Sequence, residues 1–349
     1  MHTTNATRPV KSSRITNWKE YNDALGRRAT LPLDLLEIQA PDWRSVVDTG
    51  KAGRPQIYSN GWIECIALLR QAFKQPYRQA VKLVERLIPE DSESQTPSWG
   101  HLAYRVRKLG QTSRFQRQVV VFQQALEDAL KSGNPVILLV DSTGLSIRGP
   151  NSWRVDKPGA MERPMRTFQR THLALNAASQ QVLACQMTSV KTGDPTVLPG
   201  LLNAVTEEGL WVQSLAADGA YDTRGVYSAC ETNGISDVRI PPKEGAVRWK
   251  DTTPGAGLRN GHLAMGTRDR SFVPGKKAWK EATEYHVRSL VETAMSRMVS
   301  VTNQRLRNRT EDGQAYETVA AITLMNHYAR LGLPEHNTRA YALPRQAPA

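Results

Sequence analysis

The stretch VILLVDSTGL, residues 136–145, constrains the chain more than any other. Val136 to Val140 form an uninterrupted apolar run of strand length, which suits a strand covered on both faces. Such a strand needs layers above and below it, so an α/β fold is expected. The run reaches Asp141 and then Ser142-Thr143-Gly144, read as a turn. Beyond it, RTHLALNAASQQVLACQMTSV alternates like a hairpin turning at Ala178-Ser179. DPTVLPGLLNAVTEEG predicts a helix with Asp194 as its cap and Pro195 in its first position. WVQSLAADGAYD is a further strand ending at Asp218-Gly219, TRGVYSACETNG a helix capped by Asp222, and DVRIPP a short last strand.

The residues before this run read differently. Ser59 can cap SNGWIECIALLRQAF, PYRQAVKLVERLI follows a break at Gln75-Pro76, and a third helix begins in TPSWGHLAYRVRKLG. In that third helix Trp99, Leu102 and Val106 are expected to pack inward, with His101, Arg105 and Lys108 on another side. Arg105, Arg107, Lys108, Arg114 and Arg117 cluster on and after it, the pattern of a helix-turn-helix whose basic side chains hold phosphates. A solvated basic helix has the same pattern. The helical reading stops at Gly133-Asn134-Pro135. The expected division is a basic lead-in over 1–15, a helical DNA-binding domain over 16–133, a catalytic domain over 134–334 with an insertion at about 243–280, and a tail over 335–349.

With 46 Lys and Arg against 33 Asp and Glu, a net +13, the chain favours a polyanionic partner. Cys65, Cys185 and Cys230 lie far apart in apolar contexts without a CxxC pair, so they are expected as core thiols rather than zinc ligands. The start, MHTTNATRPVKSSRITNWKEY, carries no apolar core of a secretory signal, and a cytoplasmic protein is expected.

YHVRSLVETAMSRM, residues 285–298, predicts one amphipathic helix. At about 100° per residue, Val287, Leu290, Val291, Ala294, Met298 and Val301 form one stripe, and Tyr285, Arg288 and Glu292 stack opposite it. A lone Glu there is an ordinary surface residue. Asp141 and Asp218 at strand ends change its meaning, because strand ends line the crevice of an open α/β sheet. Three carboxylates suit Mg²⁺ or Mn²⁺, and two such ions can serve phosphodiester cleavage and transfer. His172, His286 and His327 lack metal-ligand spacing, and Ser142 lacks the flanking glycines of a nucleophile elbow. Trp153, Trp249 and Trp279, in basic glycine-containing loops, either stack on bases or anchor those loops.

VDST at 140–143, ADGAYD at 217–222 and the spacing Tyr285-x2-Arg288-x3-Glu292 resemble the DDE insertion-sequence transposases of bacteria, in particular the insertion-sequence five group. NWKEYNDAL at 17–25 and RTHLALNAAS at 170–179 resemble it too. The resemblance implies a ribonuclease-H-like mixed-sheet core behind an N-terminal all-α domain. It also implies Asp141, Asp218 and Glu292 as metal ligands, Tyr285 and Arg288 as contacts to DNA near the transposon end, and terminal inverted repeats as substrate. Pairing two ends implies at least a dimer. The family pattern places a Lys where this chain has Val299; Arg297, two residues before it and on another side of the helix, is the neighbouring candidate for DNA contact. A decayed transposase that only binds DNA, and an endonuclease of the same fold, remain as alternatives.

Overall fold

The computed structural model describes residues 15–44, 56–88, 93–111, 119–147, 168–266 and 276–335. The expected lead-in, apart from Ile15 at its end, and the expected tail beyond Glu335 lie outside them, as do Arg114, Arg117 and Trp153.

Among the described residues, four helices come first: α1 (Trp18–Gln39), α2 (Asn60–Ala72), α3 (Tyr77–Leu87) and α4 (Trp99–Gly110). Their starts are local chemistry. Ser59 accepts from the Trp62 N–H at 3.1 Å and Ser98 from the His101 N–H at 3.2 Å, each satisfying a first-turn donor. Trp62, Ile66, Leu69, Val84, Leu102 and Val106 build the core of this region.

The face assigned to α4 needs correction. Its buried stripe is Leu102, Arg105, Val106 and Leu109, whereas Trp99 is 49% exposed beneath the Arg78 guanidinium. Arg105 is buried because its head finds two acceptors at the start of α2, the Tyr58 carbonyl at 3.0 Å and Asn60 Oδ1 at 2.7 Å. It is therefore not a groove-reading residue.

The second region is one mixed sheet. β1 (Val120–Val121) and α5 (Gln123–Ser132) lead into β2 (Val136–Ile147), β3 (Phe168–Asn176) and β4 (Val182–Ser189). Then follow α6 (Asp194–Thr206), β5 (Val212–Ala216), a 3-10 turn at Gly219–Tyr221, α7 (Arg224–Thr232) and β6 (Asp237–Arg239). Next come α8 (Ala256–Gly266), α9 (Lys276–Ala282), a second 3-10 turn at Tyr285–Arg288, α10 (Ser289–Thr302), β7 (Arg305–Leu306) and α11 (Glu311–Leu331). The strands run β1-β4-β3-β2-β5-β6, with β7 also pairing β2. β3 runs antiparallel to both β2 and β4, β5 pairs parallel with β2, and β6 pairs parallel with β5. This is a mixed sheet, as the resemblance implied.

Val136 to Val140 are buried on both faces, as their unbroken apolarity demands. The expected Ser142-Thr143-Gly144 turn is instead strand: β3 supplies a partner along its whole length, to Ser146 opposite Phe168. On one side of the sheet α6 contributes Val197, Leu198, Leu201 and Leu202 to the core; α10 contributes Val291, Ala294 and Met298, with Val287 just before it. Neighbouring residues on a strand face opposite ways, so Asp141 and Ser142 look toward different layers. Cys65, Cys185 and Cys230 are buried thiols, as expected.

One boundary moves. β1 pairs with β4, and Phe122, Ala125, Leu126 and Ala129 of α5 pack into the sheet core, so residues 120–132 belong with the sheet rather than with the helices before them. The inserted stretch also packs inward. Trp279 is fully buried and donates to His262 Nδ1 at 2.9 Å, while Trp249 packs against Tyr227 and Arg259, so both anchor structure.

α11 belongs to both regions, giving Tyr316 and Ala320 to the helical core and Val319, Ile322 and Met325 to the sheet core. It approaches α4 closely: a Cβ on Gly110 would lie 2.2 Å from the Asp312 carbonyl oxygen. Gly110→Ala is expected to lower stability by about 1–3 kcal/mol, the cost of forcing packed backbones apart, as read by urea unfolding. A neutral substitution would mean that the contact is slack.

Candidate active site

Asp141 lies within β2, opposite Leu173 of β3. Asp218 follows the end of β5, where its Oδ1 accepts from the Ala220 N–H at 2.8 Å and so closes the 3-10 turn. Glu292 sits in the first turn of α10. The segment 285–298, expected as one helix, changes type at Ser289 because Tyr285–Arg288 winds as 3-10. The tighter winding follows a Glu284 held at φ 50°, and it lets the Tyr285 hydroxyl donate to the Ala217 carbonyl at 3.1 Å. That bond ties the approach to α10 to the end of β5.

Arg288 joins the elements. Its Nη2 donates to Asp141 Oδ2 at 2.9 Å and its Nη1 to Glu292 Oε1 at 2.5 Å, so Glu292 faces the strand ends through a shared guanidinium. Burial raises the Asp141 pKa; the Ser142 N–H and Arg288 oppose that rise, and the charges of Asp218 and Glu292 add to it. The charges of Asp218 and Glu292 are thus both felt at Asp141. Burial also raises the Tyr285 pKa, with Arg288 opposing and Asp218, Asp141 and Glu292 reinforcing. Burial works against the Arg288 charge, but Tyr285, Asp141 and Glu292 outweigh it and its pKa rises.

Among the described residues no three His, Cys, Asp or Glu stand in a ready metal-binding cluster. The donor set nevertheless fits a divalent cation. It consists of hard carboxylate oxygens, and the like charges around Asp141 call for a positive charge that Arg288 supplies in part.

The remaining expected DNA contacts lie elsewhere. Arg107 and Lys108 are exposed on α4, both near the Tyr104 ring. Arg297 does not join the acids; it donates to Gln180 Oε1, and burial, followed by repulsion from Arg28, lowers its pKa to about 10.

Three residues carry more than the sequence conveyed. Asp194, read as a helix cap, is instead the first residue of α6 after an N-cap at Gly193, and its carboxylate reaches Ser142, Arg170 and His172. Asp222, also read as a cap, is sealed against Arg259. Tyr221 is buried, with a hydroxyl that has no hydrogen-bond partner among the described residues; burial raises its pKa, and the charges of Asp194, Asp141 and Asp218 add to that. His172 is fully buried with its pKa lowered to about 4, by burial first, so the ring is neutral near pH 7. Burial likewise lowers His327.

A family described as the transposase DDE domain matches residues 132–327, more than half of the chain, and another of the same description matches residues 27–150. The chain belongs to the transposase DDE domain family. Membership implies dependence on a divalent metal. Solved structures similar to this transposase include the Drosophila P element transposase strand transfer complex, at 14% identity and a TM-score of 0.31, covering 60% of this chain and 48% of that one. Another is the Mos1 transposase paired-end complex with left transposon end, at 14% identity and a TM-score of 0.22, covering 74% and 82%. The transposase thus spans about half the length of the P element chain. Both likenesses are faint, and the assignment rests on the family match. No helix among the described residues is long and apolar enough to cross a membrane.

Proposed function

We propose that this transposase binds the terminal inverted repeats of its own insertion sequence, cuts DNA there and joins the freed 3′ end to target DNA. The observation that carries the reading is Arg288 bridging Asp141 and Glu292, with the charge of Asp218 acting on the same Asp141, in a chain of this family. In this reading Asp141, Asp218 and Glu292 hold two Mg²⁺ or Mn²⁺ ions. Such ions, when bound, supply an acidified nucleophile and stabilise the leaving oxygen of an in-line displacement. Arg288 keeps Asp141 and Glu292 together, and Tyr285 fixes the start of α10 against β5. With Arg288 it also meets DNA beside the cut. Arg107, Lys108 and Arg114 hold phosphates through the helical region, which acts as a separate DNA-binding domain, and Arg297 meets DNA on the sheet domain. Two copies pair two ends, in the cytoplasm on nucleoid DNA.

Val299, standing in the family's Lys slot, favours a second reading in which this copy only occupies DNA ends. The test is a donor duplex with matched ends incubated with the full chain in Mg²⁺ or in EDTA. Cut and joined products in Mg²⁺, lost in EDTA while binding persists, are the expected result. Binding without products in Mg²⁺ or Mn²⁺ would establish the second reading, and cleavage without joining would make the protein an endonuclease.

A further inference from the structure

Ser142 stands between two carboxylates. Its backbone N–H donates to Asp141 Oδ1 at 2.8 Å, and its hydroxyl donates to Asp194 Oδ1, also at 2.8 Å. We propose that Asp194 is a positioning residue which, through Ser142, holds the Asp141 carboxylate in the orientation that receives a divalent cation. The proposal rests on the reading of Asp141 as a metal ligand.

The anchor is built from three elements. Asp194 opens α6, Ser142 lies on β2, and His172 faces Ser142 directly across the β2–β3 ladder. Arg170, two residues along β3 and therefore on the same side, donates from Nη1 both to Asp194 Oδ1 and to the Thr192 carbonyl, each at 3.2 Å. This fork fixes the loop entering α6 as well as the carboxylate. His172 Nδ1 lies 3.4 Å from the same Oδ1 without a hydrogen bond to it, while its Nε2 meets Thr188 Oγ1 at 2.8 Å, so the ring packs beside the acid from β3. An acid in the first turn of a helix is also favoured by the helix dipole.

The consequence for Asp141 follows from the alternation of the strand. Asp141 faces the layer of α10, where Arg288 grips its Oδ2 at 2.9 Å. The Ser142 N–H fixes the other oxygen, and the orientation of that N–H depends on the 141–142 peptide, whose far side is pinned by the Ser142 hydroxyl. Ligand carboxylates are commonly held by such outer hydrogen bonds, whose loss costs about 10- to 100-fold in metal affinity.

The competing explanation is that Asp194 merely fastens α6 to the sheet. Ser142→Ala separates the two, because it cuts the link to Asp141 while leaving Asp194 with Arg170 and His172. Mn²⁺ binding to the full chain, followed by the electron paramagnetic resonance signal of free Mn²⁺, is the readout, with thermal unfolding in metal-free buffer as the control for structure. Affinity is expected to fall about 10- to 100-fold in Ser142→Ala and Asp194→Ala, and to recover in Ser142→Thr, which restores a hydroxyl. In Ser142→Ala the unfolding temperature stays near that of the unmodified chain. Unmodified affinity in Ser142→Ala overturns the proposal, even if Asp194→Ala fails to fold. If the unmodified chain binds no Mn²⁺, or Asp141→Asn binds it as well as the unmodified chain does, the metal-ligand reading itself is overturned.

Discussion

Asp141→Asn, Asp218→Asn and Glu292→Gln are each expected to lower DNA cutting and joining by more than about 100-fold while leaving end binding in place. Each substitution keeps the shape of the side chain and removes one anionic oxygen, so it tests charge and coordination rather than packing. The magnitude is a floor: changing an outer partner of a ligand already costs about 10- to 100-fold, and a ligand contributes more than its support. Asp141 should be the most sensitive, since it is the acid on which the other two charges act and which Arg288 grips at 2.9 Å. Gel-resolved strand transfer beside mobility-shift binding decides the matter. Joining at the unmodified rate by any one variant would remove that residue from the active site.

The largest expected change in stability lies at Asp222. Its carboxylate receives Arg259 Nε at Oδ1 and Nη2 at Oδ2, both at 3.1 Å, and Oδ2 also accepts the Lys243 N–H at 3.0 Å. The side chains of Arg259 and Asp222 are 3% and 2% exposed, so water cannot replace a lost partner. Removing one member of such a pair strands a buried charge and typically costs about 3–5 kcal/mol, the expected effect of Asp222→Ala in urea unfolding. Converting both residues, as Asp222→Leu with Arg259→Met, should recover part of that loss, because no unpaired charge remains. A single-substitution cost below about 1 kcal/mol would put the pair in the range of solvent-screened surface pairs. The pair also joins α8 to the turn that follows Asp218, so it fastens the inserted stretch to the edge of the crevice.

The sheet was readable because its signals are local and repeated. An unbroken apolar run needs cover on both faces, an alternating hairpin needs one edge partner, and helices between later strands make those strands parallel. The cap at Ser59 was readable for the same reason: the donor it satisfies lies three residues ahead. Asp194 and Asp222 deceived because an Asp beside a helix start reads the same whether it caps or reaches away. Their partners Ser142 and Arg259 lie 52 and 37 residues distant, and no local pattern distinguishes the cases. Arg105 deceived similarly. Helical periodicity places it beside Val106, but polarity argues for solvent, and only the carbonyl and amide at the start of α2 make its burial possible. In the site, the stacking of Tyr285, Arg288 and Glu292 was legible from spacing, whereas the bridge from Arg288 to Asp141 depends on a 3-10 winding that periodicity does not reveal.

The last long helix places a condition on the order in which this protein can be finished. Tyr316 and Ala320 complete the apolar cluster of the first helices, which begins nearly three hundred residues earlier. A nascent chain stopped before residue 311 leaves that cluster with an open apolar face. The first helices therefore reach their mature packing only after the strands bearing the acids have been synthesised, and products truncated ahead of that point carry them unfinished.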